Sequence, residues 1–125
     1  MAKIFLDTNV LVDYLERKNI SISHLRGHKV AISPLSTHIL FSISKNLVPQ
    51  SLIAEALEQF SIVSFNQSVH DNSLIGPTSD FEDNVQLHSA SNYNAAFFLT
   101  SDKQLCSMKF FGTMKIIKPE EVEIG

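Results

Sequence analysis

Short apolar, strand-like segments alternate with amphipathic segments along the whole of this chain, and that alternation restricts its fold more than any other feature. Lys3-Ile4-Phe5-Leu6 reads as a buried strand that stops at Asp7, and Asp7, Thr8 or Asn9 can cap the helix that follows. In that helix Val10, Leu11, Tyr14 and Leu15 share a face, while Asp13, Glu16, Arg17 and Lys18 are polar. Gly27 punctuates the chain before a second strand, Lys29 to Ser33, and Ser33 or Ser36 opens a helix to about Lys45. Pro49 suits the first turn of a further helix, in which Leu52, Ile53, Ala56, Leu57 and Phe60 recur at helical spacing. Ile62 to Phe65 is a third strand, and the polar stretch 66–79, with Gly76-Pro77, reads as a loop. Asp80 to about Tyr93 reads as a helix with Phe81, Val85 and Ala90 buried. Ala95 to Thr100 is an uninterrupted apolar run of the kind found in central parallel strands. Ser101 to Met108 is a short helix or turn, and Met114 to Lys118 a last strand ended by Pro119.

Strands joined by helices imply an α/β fold: a three-layer α/β/α arrangement around a mostly parallel central sheet of about five strands. The 125 residues suit a single domain spanning 1–125. No apolar run exceeds about five residues, so no membrane-spanning segment is expected. The N-terminus lacks the features of a secretory signal. The lone cysteine, Cys106, rules out an internal disulfide and any cysteine-cluster metal site, which makes a reducing cytoplasm the natural compartment. The net charge is −3, but Glu120, Glu121 and Glu123 crowd the C-terminus, and the remaining acids equal the ten basic residues. A nucleic-acid substrate would therefore need a local basic patch, a bound metal or a partner.

In parallel sheets, functional groups gather beyond the carboxyl ends of the strands. Asp7 ends the first strand, and Asp102 lies two residues past Thr100, so both project at one sheet edge. Asp80 and Asp83, three apart at a helix start, share a face. Each alone has a structural explanation, as a cap or a turn residue; their joint placement favours a divalent cation that offsets their repulsion. Oxygen donors without cysteine favour Mg²⁺ or Mn²⁺ over Zn²⁺.

Four stretches resemble the PIN domain, the nuclease fold of VapC-type toxins: Ile4-Phe5-Leu6-Asp7-Thr8-Asn9-Val10-Leu11-Val12-Asp13-Tyr14-Leu15, Ser79-Asp80-Phe81-Glu82-Asp83-Asn84-Val85-Gln86, Phe98-Leu99-Thr100-Ser101-Asp102-Lys103 and Ile116-Ile117-Lys118-Pro119-Glu120-Glu121. The resemblance covers essentially the whole chain. It implies a metal-dependent ribonuclease, the toxin of a toxin–antitoxin pair. Asp7, Asp83 and Asp102 would be catalytic; Asp7, Asp80, Asp83 and Asp102 would bind the metal; Asn9 would orient Asp7 or contact the site. RNA would be the substrate, a protein antitoxin a partner, and a homodimer formed through apolar first helices the assembly. Arg17, Lys18 and Lys103 are candidate RNA contacts, with a charged helix end as the simpler account of each.

One departure stands out. The family usually carries a second acid on the helix after strand two, but Ser33-Pro34-Leu35-Ser36-Thr37-His38-Ile39-Leu40-Phe41 has no carboxylate. Ungapped alignment puts Ile39 at that position, and a one-residue deletion puts His38 there as a polar substitute. A catalytically impaired PIN-fold binding or scaffold module is therefore the alternative reading. A phosphatase with Asp7 as nucleophile is a third, disfavoured because Asn9 stands where that chemistry needs a second Asp.

Overall fold

A computed structural model describes residues 1–122; Glu123 lies outside the described residues. Among the described residues six strands form one sheet in the order β3-β2-β1-β4-β6-β5. They are β1 (Lys3–Leu6), β2 (Lys29–Ile32), β3 (Ser61–Ile62), β4 (Phe97–Leu99), β5 (Phe110–Phe111) and β6 (Met114–Ile117). Every pairing is parallel except β5 with β6. The helices are α1 (Thr8–Leu15), α2 (Pro34–Ser44), α3 (Ser51–Leu57), α4 (Gln67–Ser73), α5 (Phe81–Asn92) and α6 (Lys103–Met108). The expected α/β class and mostly parallel sheet are therefore present.

Side chains alternate across a strand, so β1 feeds two cores. Ile4 and Leu6 join Val10, Leu11, Leu40 and Leu99 on one side; Phe5 joins Ala31, Leu87, Phe98 and Ile116 on the other. The Phe5 and Phe98 rings stack with centroids 5.7 Å apart. Burial on both faces explains why the central strands are apolar throughout.

Several expectations need correction. Residues 66–79 are not a loop alone: α4 forms because the Asn66 side chain accepts from the Val69 N–H at 3.0 Å, and Val69 and Ser73 are buried where the helix packs on α5. β3 is shorter and earlier than Ile62–Phe65, because only a brief pairing with β2 is made before Asn66 turns the chain into α4. Pro49 precedes α3 instead of opening it; Gln50 is the cap, its Oε1 accepting from the Leu52 and Ile53 N–H groups. Phe60 lies beyond the end of α3, and Leu52 is largely exposed. Phe81, expected to be buried, is 41% exposed. The sixth strand, β5, was not anticipated; Gly112, at φ +62°, makes the turn that folds it back on β6. On α1, Val10, Leu11 and Val12 are buried in the chain's own core, while Tyr14 and Leu15 are partly exposed. Among the described residues no helix is long and apolar enough to cross a membrane.

Candidate active site

Asp7 occupies the point where β1 ends and α1 begins, at the centre of the sheet. Its backbone N–H donates to the Leu99 carbonyl at 2.9 Å, which ties it to β4. Its side chain caps α1: Oδ1 accepts from the Thr8 N–H at 2.8 Å. Oδ2 accepts from the Thr100 hydroxyl at 2.8 Å and the Asn9 amide at 3.2 Å. Asn9 also donates to Thr100 Oγ1 and accepts from the Ser101 N–H, both at 3.3 Å. Asn9 therefore holds the β4 exit loop against Asp7.

Asp7 is only 5% exposed, and burial pushes its carboxyl up to about 6 against the hydrogen bonds from Thr100 and Thr8; the charges of Glu82 and Asp102 add to the rise. A cavity of about 220 Å³ opens in front of it, lined by Asn9, Arg17, Ile39, Ile43, Glu82 and Asp83 as well as by Asp7 itself. Asp83 projects from the first turn of α5 and is likewise held up at about 6, by burial first and then by Asp80, Asp7, Asp102 and Glu82.

The expected acids are thus distributed unequally. Asp7 and Asp83 share the cavity. Asp102 borders it at the same sheet edge: its charge acts on both, while its Oδ1 caps α6 by accepting from the Gln104 and Leu105 N–H groups. Asp80 is exposed and caps α5, its Oδ1 accepting from the Asp83 N–H at 2.9 Å; it does not line the cavity. Glu82 does line it, and burial with the Asp80 charge raises its carboxyl. Sequence reasoning assigned Glu82 no role because a first-turn glutamate is common at a helix N-terminus. The signal available was its position one turn before the buried Gln86 on α5.

His38 does not substitute for the missing acid. It is exposed, nearly opposite the buried Ser36 and Leu40 on the α2 helical wheel, and the cavity wall there is Ile39 and Ile43. Of the expected RNA contacts, Arg17 reaches the cavity, paired to Asp13 at 2.8 Å. Lys18 faces a different groove with Leu15, Asn46 and Gln50. Lys103 is exposed at the start of α6, beside Asp102. His70 and Asp71 pair with each other, away from the cavity.

A polar knot fixes the helices behind the acids. The Gln86 Nε2 donates to Thr8 Oγ1 and, at 2.6 Å, to Ser36 Oγ, and the two hydroxyls lie 2.9 Å apart. α1, α2 and α5 thus meet at one buried amide. Its Oε1 has no partner among the described residues.

The donor chemistry suits a hard divalent cation: carboxylates only, mutually repelling, with no cysteine. Yet among the described residues no three His, Cys, Asp or Glu groups stand close enough together to hold one. Asp7 and Asp83 are the residues best placed to do so, with Glu82 and Asp102 at the margin.

The chain shares its fold with a chain of the crystal structure of VapBC2 from Rickettsia felis bound to a promoter DNA fragment: TM-score 0.66, 18% identity, covering 91% of this chain and 96% of that one. It likewise matches a chain of a toxin–antitoxin complex from Klebsiella pneumoniae, with TM-score 0.71 and 19% identity over 95% and 99% of the two chains. No family model and no curated protein matches the sequence. The architecture is a VapC-like PIN-domain fold.

Proposed function

We propose that this protein is a Mg²⁺- or Mn²⁺-dependent ribonuclease that hydrolyses RNA phosphodiesters, acting as the toxin of a toxin–antitoxin pair. The observation that carries this reading is the meeting of buried Asp7 with Asp83 across a small cavity at the carboxyl edge of a PIN-type sheet. Asp7 and Asp83 would hold the cation, with Asp102 at the margin. When bound, it would lower the pKa of a water and offset charge on the transferring phosphoryl oxygens. Thr100, Thr8 and Asn9 fix the Asp7 carboxylate before substrate arrives, so no reorganisation is required of it. The two structures named above come from toxin–antitoxin complexes, which favours a protein partner for this chain, and its single-cysteine composition suits the cytoplasm. Purified protein should cleave RNA with Mg²⁺ or Mn²⁺; equal, EDTA-insensitive cleavage by wild type and Asp7→Asn would sink the reading.

A second reading, a PIN-fold binding module without activity, is favoured by Ile39 at the position of the family's second acid and by the absence of an assembled three-ligand set among the described residues. Millimolar or tighter Mn²⁺ binding that disappears in Asp83→Asn would count against it.

A further inference from the structure

The neutral body of the chain conceals a local charge excess. Residues 103–118 hold four lysines and no carboxylate. Lys109, Lys115 and Lys118 line one groove of about 440 Å³ together with Cys106, Phe110 and Glu121. The three lysines are exposed, and among the described residues none lies within 4.0 Å of a carboxylate. Glu121 stands at one end, its Oε1 accepting from the Lys118 backbone N–H at 3.0 Å. Phe110 leaves 54% of its surface exposed on the groove.

The groove adjoins the acidic cavity. β6 runs parallel to β4 with Ile117 opposite Leu99, so Lys118 stands level with Thr100 at the sheet edge that carries Asp7 and Asp102. Cys106 Sγ donates to the Thr100 carbonyl at 3.6 Å, while the Thr100 hydroxyl donates to Asp7. Thr100 is therefore bonded to one lining residue of each, Asp7 of the cavity and Cys106 of the groove. From Lys118 back to Lys115 the strand carries positive charge over roughly 10 Å. Lys109 comes alongside because its carbonyl accepts from the Ile116 N–H at 2.9 Å. An acidic cavity repels phosphates, so affinity for a polyanion must be supplied beside it, and cations with an exposed aromatic ring suit single strands.

We propose that this groove is a single-stranded nucleic-acid subsite. Lys109, Lys115 and Lys118 hold phosphodiesters of a strand whose scissile bond lies at the acidic cavity, and Phe110 stacks one of its bases. The proposal rests on the ribonuclease reading, but its test does not require cleavage. Asp7→Asn protein in EDTA is titrated into a fluorescein-labelled single-stranded oligoribonucleotide, and anisotropy is followed across a salt series. Adding Lys109→Gln, Lys115→Gln and Lys118→Gln together should weaken binding at least about tenfold and reduce the slope of log K against log salt by about 2. Phe110→Ala should weaken it by roughly 5- to 100-fold. Alkylation of Cys106 by a maleimide should slow when the oligonucleotide is bound. A control with the same charge change elsewhere, Arg26→Gln with Lys29→Gln and Lys45→Gln, should bind within about twofold of the parent. Equal losses in the two triple variants, or no loss in the groove variant, overturns the subsite. So does protection of Cys106 by polyglutamate as strong as that by RNA, which would assign the groove to an acidic protein. Groove-dependent binding by a wild-type protein that cuts no RNA would sink the ribonuclease reading and leave the subsite standing.

Discussion

The Thr100 hydroxyl donates to Asp7 Oδ2 across 2.8 Å, a direct side-chain link between the carboxyl ends of β4 and β1. Thr100 Oγ1 in turn accepts from the Asp102 N–H at 3.0 Å. Thr100→Val keeps the shape and removes the link. It should cost about 1–3 kcal/mol of stability, because buried groups lose their partners. Thr100 is also the strongest influence holding the Asp7 carboxyl down, so the variant's carboxyl moves further above about 6. The acid limb of an RNA-cleavage pH profile should shift upward, which separates this variant from a merely unstable one.

Asp7 itself works against the fold when ionised. Its carboxyl titrates at about 6 in the folded chain and near its ordinary 3.8 when unfolded, so the folded state binds more protons between those values. Stability from this group is complete below about pH 4 and is lost as pH rises through 6; the difference is on the order of 2–3 kcal/mol. Half-buried Asp83 acts in the same direction with a smaller effect. Asp7→Asn should therefore abolish cleavage yet raise Tm at pH 7.5 by several degrees and flatten the dependence of Tm on pH between 4 and 7. A lower Tm at pH 7.5 would contradict it.

The cavity wall at Ile39 is apolar where the resembled family places an acid, and Glu82 stands in the same cavity on α5. Ile39→Glu should tighten Mn²⁺ binding about tenfold or more, measured by titration calorimetry, while lowering the Tm of the metal-free protein. Glu82→Gln should weaken Mn²⁺ binding. Unchanged affinity in both variants would place the cation elsewhere.

Gln86 links Thr8 and Ser36 from a fully buried position. Gln86→Ala leaves a cavity and should cost roughly 2–4 kcal/mol in denaturant unfolding. Gln86→Leu should cost less, since it fills the space, removes the unpartnered Oε1 and leaves the two hydroxyls bonded to each other.

The β/α alternation was legible because buried parallel strands and amphipathic helices impose different periods on the sequence. Asp7 and Asp102 were legible by the same logic, since a strand's end fixes where the next residue emerges. Four features were not. α4 is a polar helix whose stability comes from the Asn66 cap and two buried positions, too weak a pattern to stand against Gly76-Pro77. β5 contains two residues, so no alternation can register; the Gly112 turn was its only trace. Glu82 sits among ordinary first-turn acids, and its place in the cavity depends on α1 and α2. His38 and Ile39 differ by one residue, hence by about 100° around the helix, and only packing decides which faces inward.

Both margins of the sheet, β3 and β5, are strands of two residues. A neighbouring chain seeking to extend the sheet would find a ladder of very few hydrogen bonds, interrupted at β5 by a tight reversal. Long, flat strand margins are what template fibrils. Brief ones let this chain keep its most apolar strands in the middle, so that crowding during synthesis or storage gives amyloid-type stacking nowhere to begin.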